Sequence, residues 1–246
     1  MTKCSQPPIL SIITVVRNGA NSIEKCIASV DRFASPAVEY IVIDGGSTDG
    51  TIDLLLRHGK TIDFWSSEPD HGIYDAMNKG VAKAQGQWIL FLGSDDEMAI
   101  PAEELISHLR IPGTIYYGNA YWKHSGRTYD GLFSAAKLAR TNLCQQAVLY
   151  PRPALLKHPF NLRYRFQGDW ELNMRCHSDP DFRFEYLPLT LSIYNDATGA
   201  STLFRDLALE ADYITLLWRH FPGPAALWLS TLVFGGRLLR TLGLKQ

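Results

Sequence analysis

The sequence predicts an α/β fold, a mostly parallel sheet flanked by helices. Short apolar, β-branched runs alternate with segments of helical period through the N-terminal part of the chain, the order that builds parallel sheets. Those runs are apolar on both faces, as strands covered by helices above and below must be. Polar clusters follow the strands directly, at Arg17-Asn18, Asp44 and Asp95-Asp96. In open α/β sheets that carboxyl edge is where ligands bind.

Ile9–Val16 reads as the central strand, and Arg17-Asn18-Gly19-Ala20 as a turn. A helix beginning at Asn21 follows, with Glu24 at capping-box spacing and Ile23, Cys26, Ile27 and Val30 as its apolar stripe. Val38–Ile43 is a second strand, ending in the turn cluster Asp44-Gly45-Gly46-Ser47-Thr48-Asp49-Gly50. Thr51–His58 reads as helix, Ile62–Ser66 as extended, Ile73–Ala84 as helix and Trp88–Leu92 as a third buried strand. Beyond it the pattern is more mixed. Thr114–Tyr121, Ala147–Tyr150 and Phe182–Leu191 read as strands, Gly168–Cys176 as helix, and Pro151-Arg152-Pro153 as a break. No repeat or low-complexity segment interrupts the chain, which favours one domain, residues 1–201, and a C-terminal helical extension over 202–246.

The chain has 246 residues, 46% hydrophobic and 20% charged, with a net charge of −1. That composition fits an ordinary folded protein, and its balanced charge excludes broad nucleic-acid binding. Cys4, Cys26, Cys144 and Cys176 are scattered, without the spacing of a zinc site. A chain of this length does not need disulfides, so a reducing, cytoplasmic setting is expected. Ile9–Val16 is too short to span a bilayer and no cleavage pattern follows it. Residues 203–240 are rich in Leu, Trp and Phe, with Leu209, Tyr213, Leu216 and Leu217 at helical spacing. Pro222, Pro224, Gly235 and Gly236 interrupt the apolar run, and Arg237, Arg240 and Lys245 follow it. That pattern is expected either to lie at a membrane interface or to pack on the domain or a second copy.

Asp95 and Asp96 sit side by side at the end of a buried strand, where their charges repel. A divalent cation relieves that repulsion, and carboxylates suit Mg²⁺ or Mn²⁺; the alternative is a solvated acidic turn. The glycines after Asp44 permit a sharp turn and close approach to a ligand, and the Asp44 carboxylate can accept hydrogen bonds from a base or ribose. The segment matches neither a Walker loop nor a dinucleotide fingerprint. Asp75, Asn78 and Lys79 share one helix face, while Tyr74, Met77 and Val81 turn toward the core. Asp169 and Glu171 are both candidate general bases, although Asp169 also reads as a helix N-cap.

Taken in order, Ser11-Ile12-Ile13-Thr14, Asn18, Asp44 to Thr51, Glu68-Pro69-Asp70, Gly72 to Gly80, and Ser94-Asp95-Asp96 resemble family 2 glycosyltransferases. The bacterial branch that builds exopolysaccharide, capsule and O-antigen units is the nearest likeness. The resemblance implies a GT-A (Rossmann-like) fold with nucleotide-sugar binding over about 9–100 and the acceptor and catalytic half over about 101–201. It implies an inverting, metal-dependent transfer from a nucleotide-diphosphate sugar, UDP favoured over GDP, to a carbohydrate or lipid-linked acceptor. By position, Thr14 and Asn18 fall in the first nucleotide-binding loop. Asp44 contacts the base or ribose, and Asp75, Asn78 and Lys79 join the donor-binding set. Asp95 and Asp96 form the DXD-type motif, with Asp96 favoured as the metal ligand, and Asp169 is the catalytic base. Two departures stand out. Gln145 occupies the place where such enzymes often carry His, and Ser94-Asp95-Asp96 lacks the leading Asp of a full motif. The rivals are an inactive sugar-nucleotide or glycan-binding protein of the same fold, and a nucleotidyltransferase. The latter usually carries a basic Gly-rich loop after the first strand, and Val16-Arg17-Asn18-Gly19-Ala20 is not one.

Overall fold

A computed structural model of the protein describes residues 7–32, 35–197 and 204–221, with 223, 226–228, 230 and 231. Cys4, Pro222, Pro224, Phe234, Gly235, Gly236, Arg237, Arg240 and Lys245 lie outside the described residues. The membrane or dimer contact expected of them lies outside too.

The first strands run β1 (Leu10–Val16), β2 (Val38–Asp44), β3 (Phe64–Ser67) and β4 (Trp88–Gly93). They pair in parallel, in the order β3-β2-β1-β4. β1 is central because both its faces are apolar. Leu10, Ile12 and Val16 pack on one side with α1 (Ile23–Arg32) and α2 (Thr51–Arg57), while Ile13 and Val15 pack on the other with α3 (Ile73–Lys83). The capping role expected of Glu24 does not form. α1 begins at Ile23, and Glu24 instead approaches His58 Nε2 at 3.4 Å and Arg57 at 3.8 Å.

Beyond β4 the sheet becomes mixed. β5 (Glu97–Met98), α4 (Ala102–His108), β6 (Thr114–Trp122), β7 (Arg127–Tyr129) and α5 (Ala135–Leu138) come first. A 3-10 turn (Gln145–Ala147), β8 (Val148–Pro151), α6 (Arg152–Lys157), α7 (Gly168–Ser178) and β9 (Arg183–Tyr194) follow. β8 is antiparallel to β4 and β6, β9 is parallel to β6, and β5 is antiparallel to β9. β8, antiparallel to β4, brings the loop before it to the carboxyl edge of β4, and β9, running the same way as β4, brings the loop after it there.

The helix α8 (Leu207–His220) buries Leu209, Leu216 and Leu217 in the core cluster that includes Leu172 and Met174 of α7. Its N-cap, Asp206, accepts from Leu209 N at 3.2 Å, and also from Phe166 N at 2.8 Å and Gln167 N at 3.1 Å. The start of the expected extension is therefore fastened to the loop that leads into α7. Among the described residues, no helix is long and apolar enough to cross a membrane.

Candidate active site

The turns after β1 and β2 are laced together. Asn18, at φ 53, accepts from Thr48 N at 2.9 Å, and its own N–H donates to Ser47 Oγ at 2.7 Å. Asp49 accepts from Ala20 N at 3.0 Å. Asp44 is the hub. Its fully buried carboxylate accepts from Gly46 N at 3.0 Å, Ser47 N at 2.9 Å, Ser67 Oγ at 2.6 Å and the Ser47 hydroxyl.

The carboxyl edge opens onto a cavity of about 1100 Å³, lined by the ends of β1 and β4, the start of α3, the loop before β8 and the start of α7. Asp75, Asp95, Asp96 and Asp169 line it; Thr14, Asn18, Asp44, Asn78 and Lys79 do not. Strand alternation accounts for Thr14. It shares a face with Ile12 and Val16, and its hydroxyl accepts from Tyr40 Oη at 3.1 Å in a fully buried position. Asn78 spends both ends of its amide on Phe160, donating to its carbonyl at 3.0 Å and accepting from its N–H at 2.9 Å. Lys79 is held outside the cavity by Glu68 at 3.0 Å, the Pro69 carbonyl at 3.1 Å and Asp75 at 3.4 Å. Asp75 accepts from His71 N at 3.0 Å, and that bond holds its carboxyl below the usual range.

Asp96 is 1% exposed, and burial, with Asp95's charge beside it, pushes its carboxyl up to about 7. Asn195, just after β9, braces both acids, donating from its N–H to Asp96 Oδ1 at 2.8 Å and from Nδ2 to Asp95 Oδ2 at 3.0 Å. The Gln146 side chain also bonds Asp96. Gly93 has no room for a Cβ, which would overlap Asp96 Oδ2. A divalent cation fits this pair because its charge offsets both causes of the raised pKa, and oxygen donors suit Mg²⁺ and Mn²⁺. Among the described residues no group of three or more metal-ligating side chains forms. Asp95 and Asp96 would therefore share the ion with water or substrate oxygens, as Mg²⁺ sites commonly do.

Asp169 is not an N-cap. α7 begins at Gly168, so Asp169 lies in its first turn. Its carboxylate accepts from Tyr74 Oη at 2.8 Å and from Asn142 Nδ2 at 2.6 Å. Burial raises its pKa to about 6, against the pull of these two bonds. Glu171 turns away from the cavity, into a 2.9 Å ion pair with Arg175. The N-terminus of α7 favours an anion at Asp169.

The cavity wall includes residues that no motif marks: Trp122, Tyr129, Arg140, Asn142, Arg165 and Tyr194. Trp122 stacks on Tyr129 at 4.8 Å. Tyr74, read from the sequence as a core residue, is indeed 6% exposed, yet its hydroxyl reaches Asp169. Only the aromatic type of the wall residues carries a signal, and aromatics serve cores as well.

The model of the family described as "Glycosyl transferase family 2" matches residues 11–187. The chain belongs to that family. It is a glycosyltransferase with the GT-A fold, as its sequence pattern implies. It is 33% identical over 209 residues to the PGL/p-HBAD biosynthesis glycosyltransferases of Mycobacterium tuberculosis and Mycobacterium bovis, covering 81% of each chain. A putative teichuronic acid biosynthesis glycosyltransferase of Bacillus subtilis, TuaG, is 38% identical over 93 residues, 37% of each chain. Among solved structures, S. aureus TarS in complex with UDP-GlcNAc superimposes with a TM-score of 0.70 at 13% identity, covering 87% of this chain and 68% of that one. A mannosyltransferase from Pyrobaculum calidifontis, in complex with GDP-Man and Mn²⁺, gives 0.59 at 15% identity, covering 96% and 81%. At such identities the likeness is one of fold.

Proposed function

We propose that this glycosyltransferase inverts the anomeric centre of a nucleotide-diphosphate sugar as it moves the sugar to a carbohydrate or lipid-linked acceptor, with Asp169 as general base. The observation that carries the reading is one cavity with the Asp95-Asp96 pair and Asp169 on its wall. Asp169 takes the proton of the acceptor hydroxyl as that oxygen attacks the anomeric carbon from the face opposite the leaving nucleoside diphosphate. Its Tyr74 and Asn142 bonds hold the carboxylate in place, and burial raises its basicity. Asp96 and Asp95 hold the divalent ion, which when bound steadies charge on the diphosphate. UDP, the carrier that the resembling enzymes more often use, is the favoured nucleotide. Asp44, Asn18 and Lys79 serve the donor indirectly in this reading, by fixing the loops and the α3 terminus that border it.

A lipid-linked acceptor is supported by an exposed apolar side chain of the cavity. Leu162 on the wall is 45% exposed. Contact with the inner face of the cytoplasmic membrane belongs to this proposal.

Asp169→Asn tests it. Turnover should fall by about 10²–10⁴, the span typical of a lost general base. Stabilisation by UDP with Mn²⁺ in a thermal-shift assay should persist. Near-normal turnover in Asp169→Asn would remove Asp169 from the reaction.

A further inference from the structure

A line of polar side chains runs from Asp169 through Asn142, on the cavity wall, into the core at Asn173 and Tyr150. Tyr150, fully buried on β8, donates from its hydroxyl to Asn173 Oδ1 at 2.7 Å. Asn173, fully buried on α7, donates from Nδ2 to Asn142 Oδ1 at 2.9 Å. Asn142 donates from Nδ2 to Asp169 Oδ2 at 2.6 Å. The direction of every bond is forced. An ionised carboxylate only accepts, so Asn142 must present its amide N–H₂ to Asp169. Its carbonyl then faces Asn173, which must donate in turn. The Asn173 carbonyl is left for a hydroxyl, and Tyr150 supplies one. Gln145 Oε1 is more distant from that hydroxyl, at 3.2 Å.

We propose that Tyr150, Asn173 and Asn142 form a one-way hydrogen-bond chain that aims the Asp169 carboxylate at the acceptor and holds it ionised, which makes all three positioning residues for the base. The inference rests on Asp169 acting as that base. Donors aligned in series polarise one another, so the last bond, to Oδ2, is strengthened by those behind it. Tyr74 supplies the independent donor on Oδ1. The chain counters burial, which alone favours the neutral acid.

The groups around Asp169 leave this task to hydrogen bonds. Tyr74 from α3, Tyr150 from β8 and Cys144 from the preceding loop all feel its charge, and each has its pKa raised, mainly by burial. Arg140, Arg165, His71, Asp75, Asp95 and Asp96 share the cavity wall with it. Arg140 and Arg165 form no hydrogen bond or ion pair through their guanidinium groups among the described residues.

The test is the titration of Asp169 followed by NMR in protein carrying ¹³C-carboxyl aspartate, with no ligand added. In the unaltered protein the midpoint should lie at about 6. Asn142→Ala should raise it by about one unit, and Tyr150→Phe, which keeps the ring in the core, by about half a unit. The Asn142 and Asn173 side-chain amide signals of the unaltered protein should move with the same midpoint, a readout available even if Asn142→Ala does not fold. A merely structural chain would lower the melting temperature of folded Tyr150→Phe and leave the Asp169 midpoint and the Asn173 amide signal unmoved; that result overturns the proposal. Turnover that survives Asp169→Asn overturns the base assignment instead, whatever the titration shows.

Discussion

The Tyr74 hydroxyl donates to Asp169 Oδ1 at 2.8 Å across 95 positions of sequence. It links the first turn of α3, after Gly72, to the first turn of α7. The Tyr74 ring stacks on Phe160 at 5.1 Å. Tyr74→Phe removes a donor that favours the anion, so the acid limb of the pH–turnover profile should move upward. With Asp169 as the proposed base, unaltered enzyme should lose activity as pH falls through about 6, the raised pKa of that carboxyl. Relative to the unaltered enzyme, Tyr74→Phe should lose about fivefold at pH 6 and little at pH 8, as a shift of roughly one unit requires. Parallel pH profiles would show that the hydroxyl does not act on the base.

Gly168 leaves the space that Tyr74 fills. A Cβ there would lie 2.8 Å from Tyr74 Cε2, and a ring in a packed core has little room to retreat. Gly168→Ala should cost about 1–3 kcal/mol by overpacking and lower turnover with it. Denaturant unfolding read beside turnover checks both. Loss of stability with normal turnover would mean that Tyr74 tolerates displacement.

The raised pKa of Asp169 also bears on stability, and the sign follows from linkage. The folded protein binds this proton more tightly than the unfolded chain does. The stability the group contributes is therefore full below the unfolded value near 4 and is lost as pH rises through about 6. Asp169→Asn removes that dependence. Relative to the unaltered protein, the variant should gain about 2 kcal/mol between pH 4 and pH 8, measurable by urea unfolding at the two pH values. An equal difference at both would contradict the burial of the charge.

Asp44 holds two turns at once, so Asp44→Ala should leave the Gly46 and Ser47 N–H groups and the Ser67 hydroxyl without their acceptor. A cost of about 2–4 kcal/mol is expected for a buried hub of this kind. UDP stabilisation should weaken too, because the loops beside the cavity lose their lacing. A variant with unchanged melting temperature but no nucleotide response would make Asp44 a direct ligand contact instead.

The parallel half of the sheet was legible because its strands are buried on both faces, and Leu10 to Val16 shows this plainly. β5 and β7 were not, since Glu97–Met98 and Arg127–Tyr129 are too short to display a period. Pro151-Arg152-Pro153 reads as a break, yet α6 starts there, because proline is tolerated in the first helical turn. In the site, the acids at strand and helix ends were readable from their position. Thr14 was not, because a hydroxyl next to a motif looks like a ligand contact until strand alternation turns it inward. Asn142 carries no local signal at all. Its role comes from Asn173 and Asp169, which the fold alone brings beside it.

Asn195 and Asp206 both lie beyond residue 187, where the match to the family ends. A fragment trimmed to that boundary would keep every recognisable motif. It would also lose the brace across Asp95 and Asp96 and the clasp on Phe166 and Gln167. Such a fragment is the natural choice for expression and the wrong one. A piece that keeps both the brace on Asp95 and Asp96 and the clasp before α7 must run past Asp206.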